Sequence, residues 1–152
     1  MLNEGDSVPK FTINDANGNK VKSTDFKGKK HVIYFYPKDF TPGCSTQADE
    51  FSTDYKKFQN KDIEIIGISP DDVDSHKKFC EKMGIKYVLL ADTEKEVSKA
   101  FDVWSMKKFM GREYMGVVRS TFLVNEKGKI FKIYSKVKAK GHAKQVLEDF
   151  TK

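Results

Sequence analysis

Only two of the chain's 152 residues are cysteines, and one of them, Cys44, sits in the stretch FTPGCSTQ directly behind the apolar run HVIYFYP at 31–37. Thr41 is a good helix N-cap, and Pro42 then falls at the first helical position, where its missing N–H costs nothing. Gly43 leaves room for close backbone approach, and Cys44 lands in the first turn. Positions 44, 48, 51, 55 and 58 (Cys, Ala, Phe, Tyr, Phe) follow the rhythm of one apolar helix face. A sulfur so placed is half sheltered and half accessible. The nucleophilic form of cysteine is the thiolate, and a free thiol with a pKa of about 8.5 is mostly protonated at neutral pH. The unpaired N–H groups and partial positive charge of a helix N-terminus favour the anion. Two readings stand on placement alone: a reactive thiol, or a small buried hydrophobe in a helix cap.

The elements that must hold this cysteine are legible as alternating strands and helices. The Asn-Gly step within NDANGN signals an N-terminal β-hairpin. HVIYFY, IEIIGIS at 63–69 and YVLLA at 87–91 read as strands apolar on both faces, and VVRSTFLVN and KIFKIYS as a hairpin through EKGK. Helical patterns cover 42–58, 71–83, 94–101 and 142–150. Strands apolar on both faces that alternate with helices predict a central sheet covered by helices. The late hairpin makes that sheet mixed, and a final helix after it suits a thioredoxin-like α/β sandwich. No linker divides the chain, so one domain over 1–152 is expected.

Composition is that of a globular protein, with 38% apolar and 33% charged residues. The first residues lack the basic and apolar regions of a signal peptide, and no run reaches the eighteen apolar residues of a membrane span. A cytoplasmic protein without membrane partners is the expectation. Net charge is +6, but most lysines alternate with acidic residues, the pattern of a solvated helix face. The exception is 127–144, with seven lysines and no acidic residue. It lacks the arginines and aromatics of base readout, so no nucleic-acid role is expected. Two cysteines in a cytosolic chain suggest transient chemistry rather than a disulfide framework. No spacing among Cys44, Cys80, His31, His76 and His142 fits a metal site. His76 and His142 read as surface residues, and His31 as a strand-end residue.

PKDFTPGCS matches the P-x-x-x-[TS]-x-x-C motif of the peroxiredoxins at Pro37, Thr41 and Cys44, and TPGCSTQA resembles the bacterioferritin-comigratory, or PrxQ, branch. The likeness extends through GDSVPKFTINDANG, GISPDD, ADTEKEVSKAF, MGVVRSTFLVNEKGKI and KVKAKGHAKQVLE, almost the whole chain. The resemblance implies a thioredoxin-like fold and thiol-dependent reduction of hydrogen peroxide or organic hydroperoxides, without metal or cofactor. It makes Cys44 the peroxidatic cysteine, oxidised to a sulfenic acid. Thr41 would hydrogen-bond peroxide and thiolate, Pro37 would shield the sulfur, and Arg119 would stabilise thiolate and departing oxyanion. Read without the family, Arg119 is a strand-edge charge in solvent.

Many members of the branch carry a resolving cysteine five residues after the first, where this chain has Asp49. Others carry it in the next helix, the place of Cys80. The resemblance therefore implies a Cys44–Cys80 disulfide, recycled by thioredoxin. Two alternatives stay open: Cys80 as core filler beside Val73 and Met83, and a one-cysteine mechanism with an external thiol. A monomer resembles much of the branch, with a dimer as the other possibility. A thiol–disulfide oxidoreductase would need a second cysteine at Thr41, and Arg119 with TPGC points away from a glutathione-peroxidase-like enzyme. A redox sensor using Cys44 as a switch would stop after one equivalent of peroxide.

Overall fold

The computed structural model describes residues 2–151. Strands β1 (Thr12–Asp15) and β2 (Lys20–Lys22) form the expected N-terminal hairpin, followed by a short 3-10 turn (Ser23–Phe26). Then come β3 (Lys30–Phe35), α1 (Pro42–Thr53), α2 (Tyr55–Asn60), β4 (Ile63–Ser69), α3 (Val73–Met83), β5 (Val88–Ala91) and α4 (Glu96–Ala100). The chain continues through β6 (Trp104–Phe109), β7 (Arg112–Val117), β8 (Ser120–Val124), β9 (Ile130–Tyr134) and α5 (His142–Phe150).

Seven strands make one mixed sheet in the order β2-β1-β5-β4-β3-β8-β9. Strands β3, β4 and β5 run parallel, and β8 lies antiparallel against β3, with Phe35 opposite Ser120. The fold is therefore the expected α/β arrangement, a mixed sheet with helices on both faces. The alternation of β3 builds both cores. Val32, Tyr34 and Tyr36 point to one face, where Ala48, Phe51, Phe58, Phe79 and Val146 cover them. Ile33 and Phe35 point to the other, among Ile66, Ile68, Val97, Phe101 and Phe122. Gly67 makes room for the first group: a Cβ there would meet the Tyr34 ring at 2.9 Å and Leu89 Cδ2 at 2.7 Å. Tyr34 thereby stacks on Phe51 at 4.7 Å and bonds Tyr87 through the two hydroxyls at 2.6 Å.

The expected helix over 42–58 is broken at Asp54, the junction of α1 and α2. Ser52, Thr53 and Asp54 are consecutive weak helix formers, so a break there costs the helix little. The antiparallel pair β6–β7, turning at Met110 and Gly111 with positive φ, is absent from the expected elements. It forms a separate two-stranded ribbon that exposes Met106, Phe109, Met110, Tyr114 and Met115. Among the described residues no helix is long and apolar enough to cross a membrane.

His142 and His76 are buried, against the expectation that they lie on the surface. His142 sits with Nε2 2.8 Å from Thr121 Oγ1 and its ring edge-on to Tyr134. Burial pushes its pKa down to about 4, against a bond to Gln145 and with some help from Arg119. An unfolded histidine titrates near 6.5, so between about pH 4 and 6.5 the unfolded chain binds the extra proton. Stability from this site is therefore full above pH 6.5 and is lost as pH falls towards 4. The effect is on the order of 3 kcal/mol. His31, lowered by burial against its bond to the Lys29 carbonyl, acts in the same direction. Urea midpoints are expected to fall across that window, and His142→Gln to flatten the slope. An unchanged slope in that variant would assign the acid sensitivity elsewhere.

Candidate active site

The carboxyl ends of parallel strands are where open α/β sheets place their sites, and here β3 runs out into 36–41, the loop that feeds α1. Because β8 is antiparallel to β3, its first residues lie beside that same end. Arg119 stands just before β8, its backbone held by the Val118 amide on Val103 O and the Val137 amide on Arg119 O. Two distant parts of the sequence thus meet at one sheet edge.

There Arg119 donates from Nη2 to Cys44 Sγ at 3.2 Å and from Nη1 to Gln47 Oε1 at 2.6 Å. The guanidinium is not the solvent-facing charge that its strand-edge position allowed. Gln47 lies one turn beyond Cys44 on α1 and is fully buried, so it fixes the fork that Arg119 presents to the sulfur. Sequence reasoning missed it, although a glutamine within an otherwise apolar helix face was the available signal. Gly43 is equally constrained, since a Cβ there would lie 3.1 Å from Arg119 Nη2. Cys44 as a whole is 2% exposed, so the thiol is sheltered from bulk solvent.

Thr41 holds the N-cap position with extended backbone (φ −80°, ψ 152°), as expected, and its carbonyl accepts from the Ser45 amide. Its side chain does not cap. The hydroxyl donates instead to the Lys38 carbonyl at 2.8 Å, which tightens the loop and leaves the oxygen's lone pairs free to accept. Pro37 is half-buried at the start of that loop. Lys107 on β6 binds Val117 O at 3.0 Å. Burial, then Arg119, lower its pKa, while Cys44 opposes them, so the ribbon's ammonium lies within the field of the site.

Cys80 is a free thiol, half-buried in the last turns of α3, which Gly84 ends in the left-handed conformation. It lines a cleft of about 340 Å³ with Lys77, Glu81 and Ile85. Burial, and after it the negative charges of Asp39, Asp15 and Glu81, push the thiol up to about 11. In this conformation Cys80 is a weak nucleophile.

A cluster that sequence reasoning also missed lies between loop and helix. Asp39 Oδ2 is 2.7 Å from His76 Nδ1 and accepts from Ser75 Oγ at 2.8 Å, while Tyr36 OH donates to Oδ1 at 2.6 Å. Asp71 accepts from the Asp39 amide at 2.8 Å and from Ser69 Oγ at 2.6 Å. Asp39, Asp71 and His76 approach one another closely enough to suggest a cation site, but Asp39 and His76 are already bonded to each other there.

A thiol at a helix start, sheltered, and bonded by a fixed guanidinium is suited to nucleophilic attack that leaves an anion behind. Comparison with known proteins agrees. Residues 5–133 match the model of the AhpC/TSA family. The chain is 45% identical to peroxiredoxin Bcp of Bacillus subtilis over 144 residues, 95% of this chain and 92% of that protein. Its fold matches the Xylella fastidiosa PrxQ crystal structure with a TM-score of 0.94 at 33% identity, covering 99% and 96% of the two chains. It also matches the Xanthomonas campestris bacterioferritin comigratory protein, for which alkyl peroxide reduction is described, with a TM-score of 0.88 at 35% identity over 93% and 90%. In Xanthomonas campestris peroxiredoxin Q, a structural neighbour at 35% identity, the two cysteines replaced singly by serine stand 36 residues apart, the separation of Cys44 and Cys80 here. The sheltered sulfur and its arginine thus lie in a chain that belongs to the AhpC/TSA family, within its Bcp/PrxQ peroxiredoxins, and that is a peroxidase acting on hydroperoxides.

Proposed function

We propose that the enzyme reduces hydrogen peroxide and organic hydroperoxides in the cytosol, as a monomer, with Cys44 as nucleophile, Cys80 as resolving thiol and thioredoxin as reductant. The observation that carries the reading is the 3.2 Å bond from Arg119 Nη2 to the buried Cys44 Sγ. The Cys44 thiolate attacks the terminal oxygen of R–O–O–H. An S–O bond forms as O–O breaks, sulfur gives up two electrons, and RO⁻ leaves to take a proton from solvent as ROH. Arg119 holds the anionic sulfur beforehand and faces the charge as it moves to the leaving oxygen. Thr41, with lone pairs free, accepts a hydrogen bond from the peroxide O–H, and Pro37 screens the sulfur from water. The buried sulfur favours peroxides whose reacting end is slender, and the alkyl peroxide activity of the Xanthomonas relative supports a scope beyond hydrogen peroxide.

The Cys80 sulfur then attacks the sulfenic sulfur, S–S forms, S–O breaks, and water leaves with the thiol proton. The 36-residue spacing shared with the Xanthomonas cysteines supports this pairing. A disulfide needs Cα atoms within about 7 Å; the two thiols are free, one in the first turn of α1 and one in the last turns of α3, and opening of one of these helix ends belongs to the proposal. A thioredoxin dithiol returns both cysteines to thiols and takes up the two oxidising equivalents. The test is one equivalent of peroxide on the reduced protein, followed by alkylation and peptide mapping by mass. A Cys44–Cys80 disulfide is expected, and in Cys80→Ser a lasting Cys44 sulfenic acid with turnover sustained only by small thiols. Sulfenic acid at Cys44 beside a free Cys80 in the unaltered chain would refute resolution by Cys80.

A further inference from the structure

The loop over 36–41 and helix α3 are joined in a way that the chemistry above does not require. The carboxylate of Asp39, in the loop, is buried against α3 by His76 Nδ1 and Ser75 Oγ and takes the hydroxyl of Tyr36 on its other oxygen. His76 Nε2 donates to Leu90 O on β5 at 2.9 Å, because a carbonyl can only accept. The ring therefore meets Asp39 Oδ2 with Nδ1, at 2.7 Å. One residue further on, Phe40 has φ 66°, a left-handed backbone that a bulky side chain adopts only when the surroundings hold it there. Those surroundings are again α3: the Phe40 ring stands edge-on to Phe79 at 5.1 Å, with Lys82 Nζ above it at 5.8 Å. Four residues of one helix face, Ser75, His76, Phe79 and Lys82, thus grip the loop that leads to Thr41 and Cys44. Cys80 is on that same helix, one turn past His76.

We infer that Asp39 and His76 are positioning residues that clamp the loop carrying Pro37 and Thr41 to α3, so that the peroxide site is shaped only while the Cys80 helix is folded. The inference deepens the proposed resolution by Cys80 and rests on it for its second half. While the clamp is closed, Cys44 reacts with peroxide and Cys80 is held in a folded helix. When α3 opens, the clamp and the strained Phe40 are released together, and the freed thiol meets the sulfenic acid. The charge of Asp39 also contributes to holding Cys80 protonated in the closed form.

The clamp gives opposite effects on two steps, which a merely structural role would not. In a Cys80→Ser background, Asp39→Asn and His76→Gln are expected to slow sulfenate formation at Cys44 about tenfold, the loss of a charge-assisted hydrogen bond. With Cys80 present, the same changes are expected to speed alkylation of Cys80 in the reduced protein and disulfide formation after one equivalent of peroxide, each about tenfold. Circular dichroism and the urea midpoint identify variants that remain folded. Should the buried changes prevent folding, Ser75→Ala and Phe40→Gly loosen the same junction without burying an unpaired charge and are expected to shift both steps in the same directions. Unchanged rates, or both steps slowing together, would overturn the clamp. If the unaltered chain forms no Cys44–Cys80 disulfide, resolution by Cys80 fails, while sulfenate formation and Cys80 alkylation still decide whether the clamp exists.

Discussion

Cys44→Ser is expected to lower peroxide consumption on the order of 10⁴-fold or more, in thioredoxin and in dithiothreitol assays alike. The exchange is nearly isosteric, and the hydroxyl can still take the Arg119 hydrogen bond, so folding should be retained to within about 1 kcal/mol. What disappears is the thiolate, the species that attacks an O–O bond, since a serine hydroxyl is not ionised at neutral pH and is a far poorer nucleophile. Cys80 cannot substitute. Its thiol is raised to about 11 by burial and by the charges of Asp39, Asp15 and Glu81, and among the described residues no guanidinium bonds it as Arg119 bonds Cys44. Dithiothreitol removes dependence on the biological reductant, so the measurement isolates the peroxide step. A residual rate within tenfold of the unaltered enzyme would move the chemistry to Cys80.

The parts of this molecule that were legible in the sequence are those whose signal is local. β4 is legible to the residue over Ile63–Ser69 because four isoleucines crowd into seven residues, interrupted on the apolar side only by Glu64 and a glycine that its neighbours require. α5 was read to the residue as well, its apolar positions falling on one side of the helix. The β6–β7 ribbon was not legible, because much of its side-chain surface faces solvent and alternation has little burial to report. Its turn at Met110–Gly111 also lacks the Asn-Gly or Asp-Gly step that marks such hairpins.

The same division runs through the site. Thr41, Pro42, Gly43 and Cys44 are contiguous, and their positions follow from helix-start chemistry. Only the Thr41 hydroxyl departs from that reading, turning back to Lys38 rather than forward to the helix. The residues that were missed act across long separations. His76 meets an acceptor 37 positions away, and His142 an oxygen 21 positions away. A histidine on a charged helix reads as solvated until its partner is known. The available clue was that His76 shares the stripe of Val73, Phe79 and Met83 rather than the lysine face of α3.

Arg119→Met is expected to slow the reaction of Cys44 with peroxide by 10²- to 10³-fold, roughly the cost of removing one preorganised donor from a site of developing negative charge. Arg119 lies 75 positions from Cys44 in sequence, and its reach to Sγ depends on three supports. The Val118 and Val137 amides fix its backbone, Gln47 fixes the fork through Nη1, and Gly43 leaves the space that Nη2 enters. Arg119→Lys separates charge from shape. An ammonium keeps the positive charge but cannot bond Gln47 and the sulfur with the same planar fork. If charge alone mattered, the lysine variant would approach the unaltered rate. If the fork matters, it falls at least about tenfold, the loss of a charge-assisted hydrogen bond, and Gln47→Ala weakens the enzyme in the same sense because the guanidinium loses its anchor. The decisive measurement is the second-order rate constant for sulfenate formation under single-turnover conditions, where later reduction by thioredoxin has no influence. A methionine variant that reacts at the unaltered rate would reduce the 3.2 Å bond to a structural contact, and stabilisation of the departing oxygen would have to come from the α1 N-terminus.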